Sequence, residues 1–386
     1  MTAFPRTRSP IMKFKVNRNH FFNGLACVTN IVGSRVTMPI LQNVLIEAEG
    51  ETVTLTTTVI DITVSCKVKA VVATPGRITL PVKRLATIVR ALPSADVTLE
   101  LAGKERVKLS SGTATFQIGG LGAEQFPPIA GLDGKDGAVL DQEALGSILR
   151  KVSYAQSTDE NRYILNGVFF EFEADKLNVV ATDGRRLAKS ELARAGGAAS
   201  AGIILPARTI AELNRLLKSG KVTFSHNERQ VAFEIQVGDN DEGFVDRVLL
   251  LSRVVEGNYP NYRQVIPKDT GFKVRLEREK FLDSVGRAAL MTDDRSNTVH
   301  ISVSKARQTL EVSAKSAAGE ATEPLAVRYE GADVAIAFNP TYLIEPLKAV
   351  TEDEIDLEVK SDTDAGVLRG IKEPFLCVVM PQRVTA

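Results

Sequence analysis

VNRNHFFNGLACV (16–28), LDQEALGSILRKV (140–152) and LEREKFLDSVGRA (276–288) are three versions of one string. Apolar residues recur in each at matching positions: Val16, Phe21, Leu25 and Val28; Leu140, Leu145, Leu149 and Val152; Leu276, Phe281, Val285 and Ala288. A second string follows each by about 65 residues: ITLPVKRLATIVRAL (78–92), IILPARTIAELNRLL (203–217) and IAFNPTYLIEPLKAV (336–350). Pro81, Pro206 and Asn339 in these strings lie 125 and 133 positions apart, and the first strings lie 124 and 136 apart. Self-similarity at such a period sets the architecture before any local signal does. It predicts three units of two similar halves, each unit about 125 residues and large enough for its own core.

Both strings read as amphipathic helices. Leu85, Ile88, Val89 and Leu92 follow the i, i+3, i+4, i+7 spacing, as do Ile210, Leu213 and Leu217. Pro81 and Pro206 stand at helix starts, Asn339–Pro340 is an N-cap followed by a first-turn proline, and Asp141 is the N-cap expected for the first helix of the second unit. Between helices the period changes to two, with β-branched residues and turns: 44–72, 167–192 and 298–314, then hairpins with turns at AGKE (102–105) and HNER (226–229). Helix followed by hairpins, without βαβ alternation, predicts an α+β fold with mainly antiparallel sheets. Gly/Pro-rich stretches at 124–137 and 257–271 read as linkers. The expected domains are 12–130, 136–262 and 270–386, behind a disordered extension at 1–11 in which Met12 is an alternative start.

Composition removes several function classes. Apolar content of 44%, charged content of 25% and a mean hydropathy near zero describe a soluble globular chain. No stretch reaches the roughly 20 apolar residues that span a bilayer, and the first eleven residues lack the apolar segment of a secretory signal. Cys27, Cys66 and Cys377 form neither a CxxC pair nor a disulfide framework, which fits a reducing cytoplasm. A net charge of +1 excludes a uniformly basic nucleic-acid binder but not positive charge gathered on one surface. His20, His226 and His300 show no metal-ligand spacing, and GxSxG, the P-loop and GxGxxG are absent. GGLG (119–122) lacks the lysine and following helix of a phosphate cradle. Asp293–Asp294 and TEDEID (351–356) read as solvated loops rather than acid/base pairs. No catalytic residue, metal or cofactor is expected.

Two segments occur once only. ATDGRRLA (181–188) reads as a hairpin with a primed Asp183–Gly184 turn and two solvated arginines, or as a turn presented to a partner. FLCVVMPQRV (375–384) reads as a final strand whose Met380 and Pro381 make a soft, adaptable surface. Basic residues on the helices include Lys83, Arg84, Arg150, Lys151, Arg208 and Arg215. They are the wet faces of amphipathic helices, or, gathered by the repeat onto one side of a ring, a field that attracts phosphates without reading bases.

From Met12 onward the chain resembles the bacterial sliding clamps, the β-subunit family of DNA polymerase III. The resemblance is carried by MPILQNVLIEAEG (38–50), NRYILNGVFFE (161–171), VVATDGRRLA (179–188), YPNYRQVIPK (259–268) and VVMPQRV (378–384) in that order on the threefold repeat. It implies the DNA-clamp fold and a head-to-tail homodimeric ring around duplex DNA. Such a ring tethers the replicative polymerase α subunit, is opened by a clamp loader, and serves other polymerases and repair proteins carrying a short clamp-binding motif; it is non-catalytic. By motif it implies a partner-peptide pocket of Arg162, Leu165, Thr182, Gly184, Arg186, Leu187, Pro260, Val265, Val378, Met380, Pro381 and Arg383. It implies DNA contacts at Arg35 and Tyr163 with the helix cations in support, and a subunit interface of Phe116 and Ile118 against Leu290 and Met291. The sequence departs from the family at Ile164, where an aromatic is frequent, at Arg185, where histidine is common, and at Gln382, where a second methionine is frequent; Thr385 and Ala386 extend past the usual end. A clamp-like paralogue specialised for repair or resistance is the alternative within the family, and a repeat-containing enzyme acting on nucleic acid the alternative outside it.

Overall fold

The computed structural model describes residues 12–33, 38–93, 96–129, 131–132, 138–194, 202–238, 242–293, 297–317 and 319–382. The extension at 1–11, Arg35, Asp294, Arg383, Thr385 and Ala386 lie outside them. Among the described residues there are six α-helices, one for each copy of the two strings: α1 (Arg18–Thr29), α2 (Val82–Ala91), α3 (Gln142–Ser153), α4 (Ala207–Leu216), α5 (Arg278–Ala289) and α6 (Pro340–Ala349). The helix starts follow the local chemistry. Asn17 accepts hydrogen bonds from the amides of Asn19 and His20, and Asn339 accepts one from Thr341 ahead of Pro340. Asp141 directly precedes α3. The hairpin turns also fall where the sequence puts them, between Asp96–Leu101 and Arg106–Ser111 and between Lys221–His226 and Gln230–Gln236.

The strands form four antiparallel sheets within two compact units. One unit comprises Met1–Glu143 and Ala211–Val254; the other comprises Ala144–Ile210 and Val255–Ala386. The middle third of the chain thus contributes to both. The reason is strand pairing. Phe244–Arg253 pairs with Ile62–Lys69 inside an eight-stranded sheet of the first unit, and Arg186–Ala193 pairs with Phe375–Val379 inside an eight-stranded sheet of the second. A strand needs two neighbours to satisfy its backbone groups when buried, and here the neighbour comes from another repeat.

The first unit also holds a five-stranded sheet ending on Ala114–Gly119, and the second a four-stranded sheet with edges at Gly319–Ala326 and Val334–Phe338. In the first unit α1 and α2 pack together, and α1 lies on the sheet with Phe14 and Phe21 in edge-to-face contact at 6.0 Å. Val82, Leu85 and Val89 point inward from α2. In the second unit α5 and α6 pack together, and Phe281, Val285, Leu343 and Leu347 fill the core. The acidic run at 351–356 departs from its reading as a solvated loop. Asp356 is buried in a strand and paired with Arg275, while Glu352 accepts hydrogen bonds from the amides of Ile371, Lys372 and Glu373. A carboxylate that caps backbone donors stabilises a loop rather than decorating it. No helix among the described residues is long and apolar enough to cross a membrane.

Candidate partner-binding site

The turn that occurs once in the sequence joins strands Lys176–Thr182 and Arg186–Ala193. It is not a two-residue primed turn. Thr182 pairs with Leu187, leaving four residues in the loop, and among them only Gly184 has positive φ, at 88°. Side chains hold it instead. Asp183 Oδ1 accepts from the amides of Arg185 and Arg186 at 2.8 and 3.0 Å, and Thr182 Oγ1 accepts from Gly184 N and donates to the Arg186 carbonyl. Arg185 is exposed, but Arg186 is buried, which corrects the expectation of two solvated arginines.

Arg186 organises the turn from inside. Its guanidinium binds Asp183 at 3.1 Å, the carboxylate of Glu345 on α6 and the carbonyl of Tyr154 at 2.6 Å, and it lies over the rings of Tyr342 and Tyr154. A planar, always-charged fork is the side chain that serves this many partners at once. Tyr154, Tyr342 and Glu345 were not singled out from sequence. Tyr342 and Glu345 sit in the second helix string, where nothing separates them from ordinary core and surface positions.

The tail strand Phe375–Val379 is buried throughout and lies between Arg186–Ala193 and Gly366–Arg369, with Leu187 opposite Val378 and Val378 opposite Val367. Beyond it Met380 N donates to the Arg185 carbonyl at 2.9 Å, so turn and tail are joined directly. Gln382 N donates to the Ala337 carbonyl at 2.8 Å, and its side chain meets Thr298. Met380 is exposed, and with Pro381 and Gln382 it borders a cavity of about 630 Å³ whose other walls include His300, Ala337 and Asp362.

Leu187 and Val378 lie below the surface. They join Val180, Val367, Leu376 and Tyr262 in an apolar cluster flanked by Tyr259 and Ile266. The segment bearing the two tyrosines is anchored on the same sheet. Tyr259 stacks on Phe169 at 4.8 Å, and Tyr262 donates to Glu171, which Arg263 also grips through two nitrogens. Burial works against the Glu171 carboxylate, but the hydrogen bonds from Arg263 and Tyr262 outweigh it and hold the carboxyl below its ordinary range. Pro260 and Val265, on the same segment, are exposed. Arg162 reaches the Asp183 carbonyl at 3.2 Å, and Leu165 is half-buried one turn behind it.

Among the helix cations, Lys83, Arg84, Arg150 and Arg208 are exposed, as is Tyr163. Lys151 departs from its reading as an exposed phosphate contact, being buried and ion-paired with Glu373. Arg215 is exposed, while its guanidinium folds onto Glu212 and the Cys27 carbonyl. Phe116 stands exposed on the edge strand Ala114–Gly119, whereas Ile118 faces that sheet's own core. Leu290 is exposed, and Met291 lies beside Gly319 at the start of the other unit's edge strand. No group of three or more His, Cys, Asp or Glu among the described residues could hold a metal ion.

A threefold helix-and-sheet repeat, with a turn and a tail paired into a site on one sheet, defines a DNA-clamp fold. Models of the DNA polymerase III β subunit match most of the chain: the N-terminal domain over residues 12–130, the central domain over 139–261 and the C-terminal domain over 263–383. The β sliding clamp of Caulobacter vibrioides (strain NA1000 / CB15N) is 32% identical over 384 residues, covering 97% of this chain and 100% of that protein. The β sliding clamp of Escherichia coli K12 is 29% identical with the same coverage of both. Among solved structures, the DNA polymerase sliding clamp of Bacillus subtilis superposes with a TM-score of 0.90 at 26% identity, covering 97% of this chain and 100% of that one. The DNA polymerase III β subunit of Bartonella birtlesii, bound to griselimycin, superposes with 0.89 at 30% identity and the same coverage. The chain belongs to the DNA polymerase III β-subunit family, and its function is that of a DNA sliding clamp.

Proposed function

We propose that the chain works in the cytoplasm as a non-catalytic head-to-tail homodimeric ring of three domains per subunit. The ring encircles duplex DNA without reading sequence and tethers the replicative polymerase α subunit. The clamp loader, other polymerases and repair proteins would share one peptide site. The observation that carries this reading is the direct pairing of the turn at 183–185 with the tail at 375–380, since both segments break the repeat and both lie on one sheet. Exposed Met380 and half-buried Pro381 at the cavity, with exposed Val265 and Pro260 on the neighbouring segment, suit a short motif with apolar side chains.

Closure of the ring is supported by two sheet edges. Ala114–Gly119 and Gly319–Ala326 each end a sheet, and exposed backbone edges invite a strand from another copy. Phe116 on the first, and Leu290 with Met291 beside the second, supply apolar contact, with Ile118 contributing backbone only. Phosphate attraction falls to the exposed cations Lys83, Arg84, Arg150, Arg208 and Arg215, with Tyr163 as an exposed hydrogen-bonding group. The test is topological. Protein loaded by its clamp loader on nicked circular DNA should remain bound until the circle is linearised and then slide off. Retention on the linear product would refute the ring.

A further inference from the structure

The turn and tail sequences occur once, but the positions they fill in the fold occur twice. In the first unit, strands Thr52–Val59, Ile62–Lys69 and Phe244–Arg253 pair in the order of Lys176–Thr182, Arg186–Ala193 and Phe375–Val379. Arg253 N donates to the Asp61 carbonyl at 2.9 Å, the counterpart of the bond from Met380 N to the Arg185 carbonyl. The spacing agrees with the repeat. Asp61 precedes Arg185 by 124 positions, Arg253 precedes Met380 by 127, and Phe126–Pro127 precedes Tyr259–Pro260 by 133. A turn, a strand end and a proline-bearing segment therefore come together here as they do at the partner site.

Members of all three border a cavity of about 310 Å³ whose apolar side chains the fold does not explain. Ile60, on the tip of the turn between Val59 and Ile62, is 73% exposed, where turns ordinarily carry Gly, Asn, Asp or Pro. Met38 is 53% exposed and Ile129 39%, and Leu41, from the buried cluster that contains Phe126, also lines the cavity. Single exposed apolar residues are ordinary, but several gathered around one concavity mark a surface that another molecule covers. Charge distinguishes this groove from the partner site. Where the tail presents Met380, this strand end presents Arg253, which is exposed and, among the described residues, makes no ion pair. Asp61, the carboxylate on the same wall, is exposed too, and the two do not pair.

We propose that this groove docks a short extended peptide of another protein, one with two adjacent apolar side chains flanked by a carboxylate. The apolar pair covers Ile60, Met38 and Ile129, and the carboxylate meets the Arg253 guanidinium. Arginine is long enough to follow a peptide along the groove, and its planar fork takes a carboxylate through two parallel hydrogen bonds. Asp61 sits on a two-residue turn with a side chain one methylene long, so it acts as a repulsive rim that fixes on which side the acid lies. The groove is thus a second docking point in the chain, selective for a flank of different charge from that suited to Met380 and Pro381.

The test uses the full-length chain carrying Met380→Ala and Pro381→Ala, so that the partner site is silent, with two fluorescent peptides. Each peptide contains Leu-Phe, flanked by glutamates in one and by lysines in the other. In anisotropy at low salt the glutamate peptide should bind about tenfold tighter, the swing from attraction to repulsion at an exposed guanidinium. Arg253→Glu should reverse that order, and Asp61→Asn should tighten the glutamate peptide. Ile60→Ser should weaken it about tenfold through lost apolar contact. Hydrogen exchange should show the bound peptide protecting 58–63 and 251–253. Each variant is first checked for wild-type circular dichroism. Equal affinity for the two peptides, or protection confined to 183–187 and 376–380, refutes the proposal. So does assembly of the peptide-free chain beyond a dimer that Ile60→Ser abolishes, since a second copy would then be the occupant.

Discussion

Replacing Arg186 with alanine tests how the site is held together. The substitution removes ion pairs to Asp183 and Glu345, the hydrogen bond to the Tyr154 carbonyl, and contact with two tyrosine rings. Breaking a fully buried ion pair typically costs about 3–5 kcal/mol, because the partner is stranded. Here the cost is smaller. Asp183 keeps two backbone donors, from Arg185 and Arg186, and the Glu345 side chain is 36% exposed and can turn to water. About 2–3 kcal/mol is therefore expected, most of it from the carbonyl, the rings and incomplete re-solvation. For a unit of this size that corresponds to roughly 5–10 °C in melting temperature. The comparison is Arg185→Ala, one residue away and exposed, which should stay within about 0.5 kcal/mol of the wild type. Thermal unfolding by circular dichroism at fixed protein concentration gives the difference, since dimer stability depends on concentration. Hydrogen exchange locates it, with amides of 176–182, 186–193 and 375–379 losing protection. If the two variants melt within about 1 °C of each other, Arg186 is not the organising residue.

Met380→Ala with Pro381→Ala should abolish binding of a polymerase-derived peptide, measured by fluorescence anisotropy, while the dimer persists; unchanged affinity would rule out the tail as part of the site. Leu290→Asp, placing a charge at an exposed apolar position beside a sheet edge, should shift sedimentation from twice the 41.8 kDa chain mass toward the monomer. Glu171 titrates with a sign that can be checked. Because its carboxyl is held below the ordinary value of 4.5, its stabilisation is present above that value and lost as pH falls through the depressed one. Hydrogen-exchange protection around Tyr262, taken relative to the intrinsic exchange rate at each pH, should therefore fall as pH drops below 4.5, and Glu171→Gln should remove most of that pH response by lacking the titrating group.

Much of the fold is legible in the chain because its signals are local. Helix periodicity needs only the residues of one string, and Asn17, Asn339 and Pro340 cap helices through contacts made within three residues. The hairpin turns are local in the same way. What misled were charged residues whose environment is not local. Lys151 looks like any lysine on a helix until Glu373, 222 positions away, is found against it, and Arg186 like a solvated arginine until it meets Glu345 on α6. The turn at 183–185 was misread for a related reason, since Asp183 and Thr182 bond the backbone and so replace the second positive φ that a primed turn requires.

The sequence by itself determined the threefold repeat, the α+β class, the absence of recognisable catalytic motifs and the two segments that break the symmetry, because each is written in spacing along a single stretch. Only the tertiary structure decided that those two segments are hydrogen-bonded to each other and that Arg186 is an internal clamp rather than a surface charge. Strand register and side-chain pairing across more than a hundred residues depend on which sheet edges meet, and no local pattern of residues encodes that choice.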